Sequence, residues 1–227
     1  MEKRADKSIL IIIIVLCVIV LALVISFLNK EESDTLKELQ AVEIQNYEGK
    51  DLSSVGDFRE NSIKGPQYLD KKDYRLQVTG LVEEEKEYTF DDLIKREHFK
   101  KVVTLNCVEG WSATILWEGF LLRDLLAEAK LLDNAKFVIF HAEDGYTTAY
   151  PIEYFTEHDI IVADKMNGYD LLPERGFPLQ LVAETKWGYK WIKWITKIEL
   201  SDDENYRGFW ESRGYSNSGE LDESFRE

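Results

Sequence analysis

One cysteine stands out as a residue that could do chemistry. Cys107 is the only cysteine outside the apolar N-terminal run, which contains Cys17. It follows an apolar, β-prone stretch at residues 102–105, and residues 109–112 after it are typical of a loop. Free cysteines are commonly buried in protein cores, whereas an accessible thiolate is a nucleophile or a soft metal ligand. The spacing alone leaves both interpretations open.

Other catalytic chemistries find little support in the sequence. The three histidines, His98, His141 and His158, have no metal-ligand spacing, which argues against a zinc site. The sequence has no Cys-x-x-Cys and no Cys-x-x-Cys-His, the patterns of thioredoxin-like exchange and of c-type haem attachment. A Cys–His hydrolase would need a histidine beside Cys107, and no local signature indicates one.

A second group of functional residue types lies at residues 174–194. Gly188 would allow backbone amides to approach an anion. Lys190 and Lys193 add positive charge in an acidic chain, and lysine binds phosphate as a point charge. The three tryptophans of this stretch fit a strand that packs them into the core. We therefore expect core positions for the tryptophans and a phosphate contact for Lys193.

Residues 107–112 read Cys-Val-Glu-Gly-Trp-Ser, which closely resembles the cofactor loop of the sulfite oxidase family of molybdopterin enzymes. Within that family the resemblance is greatest to catalytic subunits of bacterial periplasmic methionine-sulfoxide reductases. The family's cysteine is the single protein ligand to molybdenum, so the resemblance implies that Cys107 binds the metal of a Mo-molybdopterin cofactor, with molybdenum or tungsten. Glu109 would lie beside the metal and tune protonation there; the alternative is an ordinary surface glutamate.

The resemblance extends along most of the chain. Residues 58–65 resemble the family's first pterin-contacting segment, and residues 174–180 with 186–194 resemble the strand and loop that hold the pterin ring and phosphate. Residues 144–148 and 208–216 also resemble family segments, a turn between strands and a closing segment. The resemblance implies cofactor contacts from Asn61, Ser62, Ile63, Cys107, Arg175, Gln180, Lys190, Trp191, Ile192 and Lys193.

Two positions depart from the family pattern. Gln180 stands where an arginine is common, and Arg175 stands where a histidine or asparagine is usual. The resemblance implies an oxidoreductase that transfers an oxygen atom to or from a small-molecule substrate with exchange of two electrons. The departures keep a second hypothesis open, a catalytically idle binding domain that retains the fold and has lost the cofactor.

The elements that must position these residues alternate between short strands and short helices. This mixture predicts an α+β domain rather than regular βαβ winding, and the resemblance implies the mixed molybdopterin-binding fold of the sulfite oxidase family. Alternating apolar residues and a capping box mark the first strand and helix. The predicted strands are residues 74–78, 137–140, 160–163, 179–183 and 191–200, and the predicted helices begin at residue 89 and span about 121–131.

The N-terminal part of the chain predicts a membrane anchor. Residues 9–28 form an apolar run long enough to cross a bilayer, without the small-residue cleavage site of a secretory signal. Basic residues precede the run and acidic residues follow it, so the positive-inside rule places the folded domain outside the cytoplasm. The predicted parts are a cytoplasmic N-terminus (1–8), a single transmembrane helix (9–28), an acidic stalk (29–57), the molybdopterin-binding domain (58–200) and a polar C-terminal segment (201–227).

Charge and cofactor motifs limit the partners. The formal net charge of −15 argues against nucleic acid, which is bound by basic surfaces. The sequence carries no haem motif and no iron–sulfur cysteine set, yet two-electron chemistry needs an outside donor or acceptor. We therefore expect a separate electron carrier, either a membrane haem protein or a soluble carrier.

Overall fold

The computed structural model of the protein describes residues 13–24, 40–56 and 59–227. The chain divides into two compact units, Met1–Glu43 and Ile44–Glu227. In the first unit, residues 13–24 are helical and form α1. The predicted N-terminus (1–8) and parts of the predicted anchor and stalk lie outside the described residues. None of the helices within the described residues has both the length and the apolar character needed to span a bilayer.

The second unit alternates strands and helices as the sequence predicts. Its elements in chain order are β1 (Asn46–Tyr47), β2 (Lys50–Asp51), β3 (Arg75–Gly80), β4 (Lys86–Thr89), α2 (Phe90–Ile94), β5 (Phe99–Asn106), β6 (Ser112–Leu121), α3 (Leu122–Ala129), β7 (Phe137–Ala142), β8 (Thr147–Pro151), α4 (Glu153–Thr156), β9 (Ile161–Met166), β10 (Tyr169–Asp170), β11 (Gln180–Leu181) and β12 (Ile195–Ser201).

Two sheets of five strands each are formed within residues 59–227. The first has the order β10-β9-β6-β5, with β11 paired to β9, and all of its pairings are antiparallel. The second has the order β4-β3-β12-β7-β8, in which β12 runs parallel to β3 and antiparallel to β7. A Cβ on Gly80 would lie 2.2 Å from the Leu200 carbonyl oxygen, so only glycine fits where β3 meets β12. The α+β class is confirmed.

The helices begin where the sequence predicts. Thr89 caps α2 in a capping box with Asp92: the Asp92 backbone N–H donates to the Thr89 hydroxyl, and the Thr89 backbone N–H donates to the Asp92 carboxylate. Helix α3 is amphipathic, and its buried face consists of Leu122, Leu125, Leu126 and Ala129.

One buried hydrophobic cluster includes side chains from both sheets. Ile115 and Phe120 of β6 belong to the same cluster as Val78 of β3, Phe140 of β7 and Ile198 of β12. Burial of side chains this large contributes about 1.5–3 kcal/mol each. This shared core fixes the two sheets against each other, and with them the loops at their ends.

Candidate functional site

A cavity of about 440 Å³ lies where several loops of the second unit meet. Cys107 is in its wall, directly after β5. The lining residues come from residues 59–65, the cysteine loop at 105–111, the turn at 144–146, residues 174–180, the loop at 188–194, and Trp210 and Tyr215.

The cysteine loop is a tight turn. The Cys107 backbone N–H donates to the Trp111 carbonyl at 2.9 Å, and the Gly110 N–H donates to the Cys107 carbonyl at 3.1 Å. Gly110 has φ +85°, in the left-handed region that favours glycine. This closed turn holds the thiol at the end of a paired strand, where its position is fixed.

Cys107 is buried, with 8% of the residue's surface exposed. Asn61 Nδ2 donates a hydrogen bond to Sγ at 3.7 Å, so the residue predicted to lie near the metal does contact the cysteine. Burial raises the pKa of the thiol, and hydrogen bonds from the Glu109 backbone and from Asn61 oppose this effect. Binding of a metal cation would favour the thiolate strongly.

The loop at 188–194 packs directly onto the cysteine loop. A Cβ on Gly188 would lie 3.1 Å from the Asn106 carbonyl oxygen and 3.4 Å from the Cys107 Cα. Glycine at this position therefore allows two backbones to approach each other closely. The sequence does not indicate this role of Gly188. The predicted strand at residues 191–200 starts only at Ile195, because Trp194 has φ +51° and interrupts the extended backbone. Trp191 and Trp194 are buried, as predicted, whereas Trp187 is only half-buried.

Lys193 faces the cavity and has a carboxylate partner. Its Nζ lies 2.7 Å from Glu60 Oε1 and 3.3 Å from the Glu174 carbonyl oxygen. Burial lowers the pKa of Lys193, and the ion pair with Glu60 opposes that shift. Glu60 also accepts a hydrogen bond from the Ser62 hydroxyl at 3.2 Å. Glu60, which the sequence did not single out, therefore joins two predicted cofactor-contacting segments.

Lys190, in contrast, does not line the cavity. Its side chain is fully buried, and its Nζ lies 2.7 Å from Glu211 Oε1, 2.8 Å from the Ala149 carbonyl oxygen and 3.0 Å from the Asn217 carbonyl oxygen. The structure therefore argues against the cofactor contact predicted for Lys190, because this ammonium is enclosed by protein partners. Its role is to hold the C-terminal segment.

The other predicted site residues meet at the cavity. Arg175 is buried, and its Nε donates to the Val55 carbonyl at 2.9 Å. Gln180 lies on β11 and is buried. Glu109 is exposed, and its carboxylate accepts a hydrogen bond from Trp111 Nε1 at 3.4 Å. All predicted residues except Lys190 line the cavity: Asn61, Ser62, Ile63, Cys107, Glu109, Arg175, Gln180, Trp191, Ile192 and Lys193.

The sequence reasoning missed one part of the cavity wall. Tyr146, Trp210 and Tyr215 line the cavity, whereas the sequence indicates only a turn and a closing segment for the stretches that contain them. Trp210 and Tyr215 lie far along the chain from Cys107, so no local pattern could link them to the cysteine. The family resemblance of residues 208–216 was the one available signal.

Comparison with known proteins decides the family. The model of the "Oxidoreductase molybdopterin binding domain" family matches residues 63–210. The chain belongs to this family. It is 35% identical over 156 residues to the uncharacterized oxidoreductase YuiH of Bacillus subtilis, a match that covers 68% of this chain and 78% of YuiH.

Two further relatives are longer than the matched region. The protein-methionine-sulfoxide reductase catalytic subunit MsrP of Campylobacter jejuni is 28% identical over 178 residues, covering 71% of this chain and 60% of MsrP. The solved structure of the sulfane dehydrogenase SoxCD from Paracoccus pantotrophus superposes with a TM-score of 0.59 at 26% identity, covering 61% of this chain and 41% of that chain. The fold is thus the sulfite-oxidase-type molybdopterin-binding fold.

Family membership makes the protein an oxidoreductase with a Mo-molybdopterin cofactor, and the cavity fits that group. Such a cofactor needs one soft thiolate for the metal, polar donors for the pterin and positive charge for its phosphate. Cys107 supplies the thiol, Asn61 lies against it, and the buried Arg175 and the partly exposed Lys193 supply cationic groups in the same wall. These residues would hold the cofactor.

Proposed function

We propose that the protein removes the oxygen atom from a sulfoxide substrate, with Cys107 as the protein ligand to the metal. The observation that carries the proposal is the placement of Cys107, Asn61 and Lys193 in the wall of one cavity. The name of the relative MsrP, a protein-methionine-sulfoxide reductase catalytic subunit, supports the choice of substrate. The same site argues against the idle-domain hypothesis, because the thiol and the cationic groups Arg175 and Lys193 are present in the cavity wall.

The charge around the thiol separates the candidate substrates. Arg59 and Glu109 both line the cavity, and their charges act in opposite directions on the pKa of Cys107. Lys193 is already paired with Glu60. An oxyanion such as sulfite needs uncompensated positive charge at its site, whereas a sulfoxide is neutral. The balance of charge therefore favours the neutral substrate.

The proposed reaction takes two electrons and two protons, and the sulfoxide oxygen leaves as water while the substrate becomes a thioether. When bound, the cofactor would supply the chemistry that accepts the oxygen atom and exchanges two electrons. The chain's own part is to hold the metal through Cys107 and to orient the substrate. Glu109, exposed beside the cysteine, is the residue we assign to hold a proton at the cavity mouth.

We further propose a single-pass membrane anchor at residues 9–28, a domain on the extracytoplasmic side and a separate electron carrier. The apolar run in the sequence supports the anchor, as do the exposed apolar side chains of the helical residues 13–24. An added protease should cleave the stalk near residues 31–43 in intact cells. Cleavage only after lysis would contradict the orientation, and turnover without any added electron carrier would contradict the partner.

The central experiment is metal analysis combined with one substitution. Protein from a host that makes the cofactor should contain about one molybdenum or tungsten per chain. Cys107→Ser should abolish reduction of methionine sulfoxide with a reduced viologen dye as donor, because a hard alkoxide is not equivalent to a soft thiolate at this metal. Circular dichroism should show a retained fold, and the matched control Cys17→Ser should keep full activity.

Three outcomes would contradict parts of this proposal. Full activity of Cys107→Ser would remove the thiolate assignment. Metal-free wild-type protein from the same host would restore the idle-domain hypothesis. Turnover of sulfite with none of sulfoxide would show that the charge argument selected the wrong substrate.

A further inference from the structure

The closing segment, residues 208–216, forms one wall of the cavity that contains Cys107. Two of its rings, Trp210 and Tyr215, line this cavity. Tyr215 is 9% exposed and Trp210 is half-buried, so both are ordered by their neighbours. A wall built from this part of the chain is available for recognition of a ligand bound beside the cysteine.

The closing segment is fixed to the domain by a backbone hydrogen bond, a close backbone approach and a buried ion pair. The Phe209 backbone N–H donates to the Thr147 carbonyl at 2.9 Å, and a Cβ on Gly208 would lie 2.3 Å from the same oxygen. Glu211 is fully buried, paired with Lys190 at 2.7 Å, and accepts a hydrogen bond from the Thr148 hydroxyl at 2.6 Å. The segment is therefore anchored against β8 and the loop at 188–194.

The rings of the closing segment continue into a larger aromatic wall. The Tyr215 ring centroid lies 5.1 Å from that of Trp210 and 5.1 Å from that of Tyr189. Phe209 lies 5.3 Å from Trp210 and 5.7 Å from Tyr146. Except for Phe209, all of these rings line the cavity: Tyr146, Tyr189, Trp210 and Tyr215. Ring contacts at these spacings hold one another in place.

The cavity walls divide by the contacts already assigned to them. The residues assigned to the cofactor come from residues 61–63, Cys107, residues 175–180 and residues 191–193. Trp210 and Tyr215 belong to a separate part of the wall with no assigned cofactor contact. This part is available for a substrate, and the names of MsrP and SoxCD show that substrates differ within the family.

We propose that Trp210 and Tyr215 are specificity-determining residues that bind the apolar arm of the sulfoxide substrate. Methyl and methylene groups next to sulfur pack well on aromatic faces, and sulfur itself makes favourable contacts with rings. A small oxyanion has no such arm and would gain nothing from this wall. The inference rests on the proposed function, since it names the residues that select that substrate.

The test measures KM and kcat of cofactor-loaded protein with N-acetylmethionine sulfoxide and a reduced viologen dye. Tyr215→Leu and Trp210→Leu keep an apolar side chain and remove the aromatic face, so each should raise KM about threefold to tenfold. The kcat and the molybdenum and pterin contents should stay unchanged. Tyr215→Phe keeps the ring, so its KM should rise less than that of Tyr215→Leu.

Phe225→Leu is the matched control. Phe225 packs on Tyr215 with ring centroids 5.9 Å apart but does not line the cavity, so its replacement should leave KM unchanged. An equal rise in KM for Phe225→Leu would assign the effect to general packing and overturn the proposal. If Tyr215→Leu failed to fold, Trp210→Leu would decide, because it replaces a half-buried ring.

Two further results would also overturn the assignment. Unchanged KM in both leucine variants would show that the wall does not touch substrate. Loss of pterin from folded Tyr215→Leu would make Tyr215 a cofactor contact. Each of these results is measured in a variant, beside a wild type that reduces the sulfoxide. A cofactor-loaded wild type that reduces no sulfoxide would instead overturn the proposed function itself.

Discussion

Two lysines three residues apart, Lys190 and Lys193, have opposite environments in one loop. Lys193 points to the cavity, with its side chain 15% exposed and paired with a partly exposed Glu60. Lys190 points away from the cavity and is paired with Glu211, with both side chains fully buried. The 3₁₀ turn Gly188–Lys190 and the left-handed Trp194 set these directions.

The difference between the pairs Lys190–Glu211 and Lys193–Glu60 determines which lysine is able to bind a ligand. A buried ammonium surrounded by a carboxylate and two carbonyl oxygens has no donor left for a ligand, because Lys carries three donors. Lys193 is reachable from the cavity, so a phosphate can compete with Glu60 for it. Lys190 therefore stabilises the fold, and we propose that Lys193 serves the cofactor.

Breaking the buried pair should have the largest effect on stability. Lys190→Met leaves the carboxylate of Glu211 buried without its cation, and we expect a loss of about 3–5 kcal/mol in the free energy of unfolding. Urea denaturation of the purified protein measures this loss. The double variant Lys190→Met/Glu211→Leu removes both charges and should recover most of it. A single variant as stable as wild type would contradict the structural role of Lys190.

Reversing the charge at Lys193 should affect cofactor content instead. Lys193→Glu places a carboxylate where the pterin phosphate is expected, so the pterin content of purified protein should fall sharply. The free energy of unfolding should fall by less than in Lys190→Met, because the site is partly open to solvent. Lys136→Glu, at an exposed pair with Glu204, is the control and should retain its pterin. Equal pterin content in both variants would remove Lys193 from the phosphate site.

An exposed ion-pair cluster should show the smallest effect. Lys130 and Lys86 lower the pKa of Glu84 from 4.5 to about 2. Because this pKa is depressed by folding, the stabilisation is fully present above about pH 4.5 and is lost as the pH falls toward 2. Glu84→Gln lacks this stabilisation, so below about pH 4.5 its free energy of unfolding should fall slightly less steeply than that of wild type. This difference between the two proteins should vanish in 1 M salt. A difference that persists in high salt would show that the pairing is not screened as a surface interaction should be.

The sequence predicts the local features of the molecule better than the distant ones. The capping box at Thr89 and the apolar face of α3 are written in neighbouring residues, and both form as expected. The motif around Cys107 likewise identifies the cavity. The start of β12 at Ile195 could not be predicted, since alternation of residue types does not show the left-handed backbone of Trp194.

Long-range partners explain the remaining differences. Lys190 and Lys193 look alike in sequence, and only partners elsewhere in the chain distinguish them. Glu211 comes 21 residues after Lys190, and Glu60 comes 133 residues before Lys193. No pattern within the loop indicates either carboxylate. The role of Lys190 was therefore beyond sequence reasoning, as was that of Glu60.

The position of β12 inside its sheet has a consequence for how the protein is made. This strand lies between β3 and β7, and it pairs Ile198 with Val78, about 120 residues earlier. The sheet can close only after most of the chain has left the ribosome, and pairings of such separation form slowly. The cavity draws on residues from 59 to 215. A nascent chain thus lacks part of the cavity wall, and binding of the cofactor must follow synthesis of nearly the whole domain.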